Sequence, residues 1–173
     1  MTTEDGALNL YREVFKRMLS VGDTRLIHND SKNHACVLIA ELLKSAEHKI
    51  LIYCNRLGSD VWGKKEVLES LEYALEHNRS LDVLLQTEPE DPAHNAAYQL
   101  LLKHQVVVLK VSSNAVAENF IVIDDRAYRL EQDTGCRSGF ACANDPTNAR
   151  ILINAFYDLK SSAVAISPKK TEG

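Results

Sequence analysis

Several features that define familiar classes of protein are absent from this sequence of 173 residues. Basic residues are not in excess, since 20 Lys and Arg stand against 24 Asp and Glu, and a net charge of -4 gives no general attraction to nucleic acid or anionic lipid. The acidic start, MTTED, is not followed by an apolar segment, so we expect no signal peptide. No apolar run reaches the length of a membrane-spanning helix. These absences predict a cytoplasmic protein of ordinary globular composition, with no membrane partner.

Cysteine is also scarce, and its spacing argues against a metal centre. The four cysteines, Cys36, Cys54, Cys136 and Cys142, form no CxxC pair and have no histidine at the spacing of a zinc finger. Cys36 and Cys54 lie inside apolar runs, where a cysteine usually behaves as a small core residue. We therefore expect buried thiols, no metal site and no cofactor.

Short apolar strands alternate with amphipathic helices through the middle of the chain. Strands are predicted at residues 50–54, 81–85 and 106–111, and the intervening helices at residues 63–78 and from Asp91-Pro92 onward. The first strand is almost continuously apolar, which is typical of a strand buried on both faces. Such alternation predicts right-handed crossovers and a largely parallel sheet.

The pattern changes after the third strand. Two apolar stretches, 120–123 and 127–130, flank the polar sequence Asp124-Asp125-Arg126 and predict a hairpin. A strand at 138–143 and a helix beginning at Asp145-Pro146 follow. The expected fold class is therefore α/β, with a mixed, largely parallel sheet flanked by helices and a C-terminal hairpin and helix.

The two ends of the chain differ from its middle. Residues 1–30 are predicted to form an N-terminal helix and a connector, because apolar side chains recur at helical spacing between Leu8 and Leu19. Residues 31–165 hold the α/β elements, and residues 166–173 form a polar tail that we expect to be loose. No linker or internal repeat divides the chain, which predicts one domain.

The order of these elements resembles one half of the phospholipase D superfamily over about residues 31–161. Members of that superfamily carry a His-x-Lys pair, then a short apolar strand, then Asp. Here the apolar strand, Asp124 and the basic turn residue Arg126 match, but Ala117 stands at the histidine position and Asn119 at the lysine position. The small Gly-Ser-x-Asn segment that follows in the superfamily is replaced by residues 131–134, EQDT.

The resemblance implies a fold without its usual chemistry. The superfamily reaction forms a covalent phosphohistidine, which needs an imidazole nucleophile and a cation at the phosphoryl oxygens. Ala117 can supply no nucleophile, Asn119 carries no charge, and Glu131 would repel a phosphodiester. None of the six histidines has a lysine two places further on, so no shifted copy of the motif exists. The sequence predicts a catalytically inactive phospholipase D-like domain.

Polar residues at strand ends could still form a ligand pocket, because open α/β sheets bind ligands at the carboxyl ends of their strands. The candidates are Asn55, Arg56, Asn119, Asp124, Arg126, Arg129, Glu131 and Asn144. The alternative interpretation is that these are ordinary polar loop ends with surface ion pairs.

One segment nearly matches a phosphate-binding P-loop. Residues 58–65, GSDVWGKK, fit the spacing GxxxxGK after a strand and before a helix. Lys65 replaces the Ser or Thr that would bind Mg²⁺, and the bulky Val61-Trp62 pair replaces small residues. A solvated loop and basic helix start is the preferred interpretation.

Three functions remain open at this point. The first is a regulatory or scaffolding module that binds a protein partner. Because superfamily halves pair about a two-fold axis, the resemblance implies a retained apolar pairing surface and a homodimer. The second is an enzyme on a phosphorylated or nucleotide-like ligand, with a site remodelled around Asp124, Arg126, Arg129 and Glu131. The third is a nucleic-acid binder that does not cleave, which the acidic composition disfavours.

Overall fold

The computed structural model describes residues 2–112 and 118–166, which form five helices around one eight-stranded sheet. The helices are α1 (Thr3–Val21), α2 (Lys32–Ser45), α3 (Lys65–Glu76), α4 (Ala96–Lys103) and α5 (Pro146–Lys160). The strands are β1 (Leu26–Asn29), β2 (Lys49–Cys54), β3 (Ser80–Leu85), β4 (Val108–Lys110), β5 (Asn119–Ile123), β6 (Ala127–Asp133), β7 (Ser138–Cys142) and β8 (Val164–Ala165).

The strands follow the order β1-β7-β6-β5-β2-β3-β4-β8 across the sheet. The three predicted strands β2, β3 and β4 are parallel to one another, and β5 and β6 form the predicted hairpin. The α/β class and the mixed sheet are thereby confirmed. The sheet is not largely parallel, because five of the seven strand pairings in its described part are antiparallel. The edge strands β1 and β8 were not predicted, because four and two residues are too short for a periodic pattern.

The helix starts confirm most of the capping signals in the sequence. The side chain of Ser31 accepts from the backbone of α2, and Asp145 caps α5 with Pro146 in its first turn. The predicted start at Asp91-Pro92 is wrong. Residues 91–95 form a turn closed on the Asp91 carbonyl, and α4 begins after Asn95, whose side chain caps it.

The sheet is covered on both faces, as the apolar composition of β2 predicts. Ile50 and Ile52 face the cluster that contains α2 and α3, while Leu51 and Tyr53 face the cluster that contains α5. Phe15, Met18 and Leu19 of α1 join the first cluster, and β1 pairs with β7. The N-terminal segment thus shares the core of the α/β elements. No helix within residues 2–112 and 118–166 is long and apolar enough to span a bilayer.

Candidate functional site

A cavity of about 310 Å³ opens at the carboxyl end of β2, beside the start of β5 and the end of β6. Both apolar and charged side chains line it. The charged lining residues are Arg56, Asp60, Glu90, Arg129, Glu131 and Arg137. The arrangement of these six side chains decides what the cavity can bind.

Asn119 and Glu131 face each other across the β5–β6 hairpin, because the strand register pairs these two residues. The Asn119 amide Nδ2 donates to Glu131 Oε1 at 2.8 Å, and both side chains are buried. Gln86 Nε2 donates to Asn119 Oδ1 at 3.3 Å from the neighbouring β3 end. Asn119 therefore presents an amide group that is already bound to a carboxylate.

Two guanidinium groups hold Glu131. Arg129 Nη1 lies 3.0 Å from Glu131 Oε2, and Arg137 Nη1 lies 3.1 Å from Oε1. Arg129 also donates to the side-chain oxygen of Asn29 and to the carbonyl of Arg137. Burial lowers the pKa of the Arg129 guanidinium, and the ion pair with Glu131 opposes that shift. The buried side chains of Asn29, Asn119, Arg129 and Glu131 are thus all linked by hydrogen bonds within this network.

Asp60 extends the network toward the surface. Arg137 donates from Nε and Nη2 to the two oxygens of Asp60 at 3.1 and 3.0 Å, and Lys32 Nζ lies 3.3 Å from Asp60 Oδ2. Burial acts to raise the pKa of Asp60, but these two cations outweigh it and hold the pKa below its ordinary value. Burial likewise acts to lower the pKa of Arg137, but its hydrogen bonds and charge contacts with Asp60 and Glu131 raise it overall.

The formal charges of the side chains that line the cavity sum to zero. Arg56 pairs with Glu90 at the rim, Arg129 with Glu131, and Arg137 with both Asp60 and Glu131. Among the described lining residues, three cations therefore meet three carboxylates. Each lining arginine is thus already paired with a carboxylate.

The structure divides the eight candidate residues between separate places. Asn55, Arg56, Asn119, Arg129 and Glu131 line the cavity. Asp124, Arg126 and Asn144 do not. The position of Ala117 lies outside the described residues.

Asp124 lies at the far end of β5 from Asn119, roughly 17 Å away at the rise of a strand. Its carboxylate accepts from the backbone N–H groups of Glu47, His48 and Lys49 at 2.7 to 2.9 Å. Its positive φ of 51° and that of Asp125, 57°, form the tight turn between β5 and β6. Asp124 is a turn and anchoring residue, and the prediction that it shares a pocket with Asn119 is wrong.

Arg126 and Asn144 lie at a second depression, beside the carboxyl ends of α1 and α2. Arg126 Nη1 donates to the carbonyl of Ala143, and Asn144 Nδ2 donates to that of Gly22. The remodelled enzyme site expected from Asp124, Arg126, Arg129 and Glu131 is therefore not assembled. Its first two members are at one end of the sheet and its last two at the other.

Sequence reasoning missed Arg137, Asp60 and Asn29 as members of the network. Asp60 lies in the P-loop-like segment, in which Val61 and Trp62 are buried while Ser59 and the basic helix start at Lys64 and Lys65 are exposed. The N–H groups of Val61 and Trp62 donate to the carbonyl of Gly58 and so do not point at a phosphate site. Arg137 follows β6 in a turn with a positive φ, and the sequence carries no signal for its pairing with Asp60.

Cysteines and metal ligands add no further site. Cys36, Cys54 and Cys142 are buried, and Cys136 is exposed, unlike the buried thiols expected from the sequence. Within residues 2–112 and 118–166, no three His, Cys, Asp or Glu side chains are grouped as metal ligands would be.

The fold of the chain is phospholipase D-like, as its structural neighbours show. Nuc from Salmonella typhimurium, a phospholipase D family member, superposes with a TM-score of 0.61 at 10% identity over 84% of this chain and 99% of Nuc. NucT from Helicobacter pylori superposes with a TM-score of 0.63 at 10% identity over 82% of this chain and 100% of NucT.

A third neighbour is TrmBL2, an archaeal chromatin protein whose structure shows a novel mode of DNA binding. It gives a TM-score of 0.61 at 11% identity over 94% of this chain and 64% of TrmBL2. The sequence matches no family model and no curated protein. At these identities the likeness extends to the fold alone.

Proposed function

We propose that this chain is a phospholipase D-like domain that works by binding a protein partner and does not cleave phosphodiesters. A second copy of the chain is the partner that the proposal favours, and the homodimer is its functional form. Regulation or scaffolding is the class of role that follows from binding without catalysis.

The observation that carries the proposal is the Glu131 network at the superfamily's phosphate position. A phosphodiester there would lie beside a buried carboxylate, and the two nearest guanidinium groups already bind that carboxylate. A guanidinium group that turned toward the phosphate would have to give up its bond to Glu131, and the Glu131 carboxylate would still repel the phosphate. Residues 113–117, SNAVA, carry no charged side chain that could replace such a guanidinium group. Electrostatics and the missing nucleophile thus oppose the reaction independently.

A hydrolysis assay tests the absence of catalysis. The purified chain should release no product above a buffer blank from bis-p-nitrophenyl phosphate, phosphatidylcholine or single-stranded DNA, with or without Mg²⁺. The informative comparison is Glu131→Gln, which removes the repelling charge at the cavity. The proposal would be overturned by metal-independent cleavage by the unmodified chain, at a rate that differs from that of the Glu131→Gln variant.

Non-cleaving nucleic-acid binding is the second candidate, and the likeness to TrmBL2 favours it. The net charge of -4 and the paired arginines of the cavity oppose it. Fluorescence anisotropy with a labelled duplex separates the two, because phosphate contacts make affinity fall steeply with salt. The proposal expects no saturable binding at 50 mM salt. Tight binding lost by 200 mM would favour the second candidate.

A further inference from the structure

Helix α1 carries a mainly apolar stripe that no other element within residues 2–112 and 118–166 covers. We call Ala7, Leu10, Val14, Arg17 and Val21 the α1 stripe. The exposed fractions of Leu10, Val14 and Val21 are 67%, 46% and 66%. Spacings of four and seven residues place these side chains on one face of the helix. Three of the ten exposed large apolar side chains in the described chain therefore lie in one line.

This stripe lies about a third of a turn around the helix from the buried side chains Phe15, Met18 and Leu19. Arg12 lies half a turn around the helix from Leu10 and Val21, and it pairs with Glu41 of α2 at 2.8 Å. On a third side of α1, Tyr11 donates its hydroxyl to the carbonyl of His28 on the edge strand β1. The packed faces of α1 are thus accounted for, and the stripe is available to another molecule.

The order of residues along the stripe is self-complementary. Leu10 and Val21 are equally distant from the midpoint between residues 15 and 16, and so are Val14 and Arg17. Two antiparallel copies of α1, related by a two-fold axis at that midpoint, would place each Leu10 beside Val21 of the second copy. Val14 would lie against the methylene groups of the second copy's Arg17. An isologous interface requires this kind of symmetry.

Charge selects the antiparallel arrangement. Glu13 and Arg17 lie along the solvent flank of the stripe, and both are exposed. In the antiparallel pair each Glu13 approaches Arg17 of the second copy, and the two-fold axis repeats the contact. In a two-fold parallel pair the flanks that carry Glu13 would lie on opposite sides of the interface, so the contact between Glu13 and Arg17 of the second copy would not form.

We propose that a second copy of this chain docks on the α1 stripe, through antiparallel pairing of the two α1 helices. This inference rests on the proposed homodimer and names its surface. It differs from the pairing that the superfamily resemblance implied, in which the two motif ends meet. None of the ten exposed large apolar side chains in the described chain lines the cavity, so the cavity rim offers little apolar surface for pairing.

Sedimentation equilibrium at micromolar concentration tests the surface. The unmodified chain should have a mass near twice 19.3 kDa. Val14→Glu should give the monomer mass, while the control Ile151→Glu, at an exposed apolar site on α5, should remain dimeric. Circular dichroism of each variant confirms that the helices are retained.

A charge exchange makes the test specific for antiparallel pairing. Glu13→Arg and Arg17→Glu should each weaken the dimer about tenfold, because symmetry repeats the altered contact. The double variant Glu13→Arg/Arg17→Glu should restore the original dissociation constant. A dimer that tolerates Val14→Glu and both single reversals would overturn the surface and leave the homodimer standing. A monomeric unmodified chain would overturn both.

Discussion

Replacing Glu131 with glutamine removes one negative charge from the buried network and leaves its shape nearly unchanged. Arg129 would then keep a hydrogen-bond acceptor but lose its carboxylate, while Arg137 would retain Asp60. Because both Arg129 and Glu131 are buried, the lost attraction is not replaced by water. We expect the free energy of unfolding to fall by about 3–5 kcal/mol, the range for a buried pair that loses one partner.

Urea unfolding followed by circular dichroism measures this loss. The midpoint should fall while the slope stays constant, since the surface exposed on unfolding hardly changes. Arg56→Gln is the matched control, because it breaks the Arg56–Glu90 pair at the exposed rim of the same cavity. Its cost should stay below about 1 kcal/mol. Equal midpoints for the Glu131→Gln variant and the unmodified chain would refute the reasoning that the network stabilises the fold.

Three further predictions concern residues that set the fold around the site. Asp124→Ala removes the acceptor of three backbone N–H groups and puts alanine at a positive φ, so unfolding free energy should fall by about 2–4 kcal/mol in the same urea assay. Gly139→Ala should abolish soluble expression, because its Cβ would lie 2.1 Å from the carbonyl oxygen of Leu130 in the paired strand. Hydrogen bonds from the start of α5 lower the pKa of Asp145. The stability that its carboxylate contributes is therefore present above its unfolded pKa and is lost as pH falls through the lower folded pKa. Asp145→Ala should therefore cost about 1 kcal/mol at pH 7 and flatten the acid side of the stability curve.

Local signals in the sequence were sufficient for much of the fold. The apolar run of β2 predicted a strand buried on both faces, and Asp145-Pro146 marked the start of α5, because each signal depends only on neighbouring residues. Asp91-Pro92 carried the same capping signal, but a turn on the Asp91 carbonyl and the Asn95 bond to Leu57 delayed the helix. Tertiary contacts overrode the local preference there.

The site was less predictable than the fold. The strand-end rule brought Asn55, Asn119 and Glu131 together correctly, because it depends on sheet topology. It failed for Asp124, which leaves β5 at the opposite end. The contact of Arg137 with Asp60 joins residues 77 positions apart through two loops, and no periodicity encodes it.

The pairing of Asn119 with Glu131 also bears on how the hairpin finds its alignment. Strand β5 is buried along its whole length, so a slip of one residue against β6 would exchange one apolar side chain for another at little hydrophobic cost. The same slip would separate Glu131 from Asn119 and leave the buried Asn119 amide without its acceptor. The hydrogen bond between Asn119 and Glu131 thus favours one alignment of the two strands. Asn119 and Glu131, which line the cavity, would thus also set the register of the central hairpin.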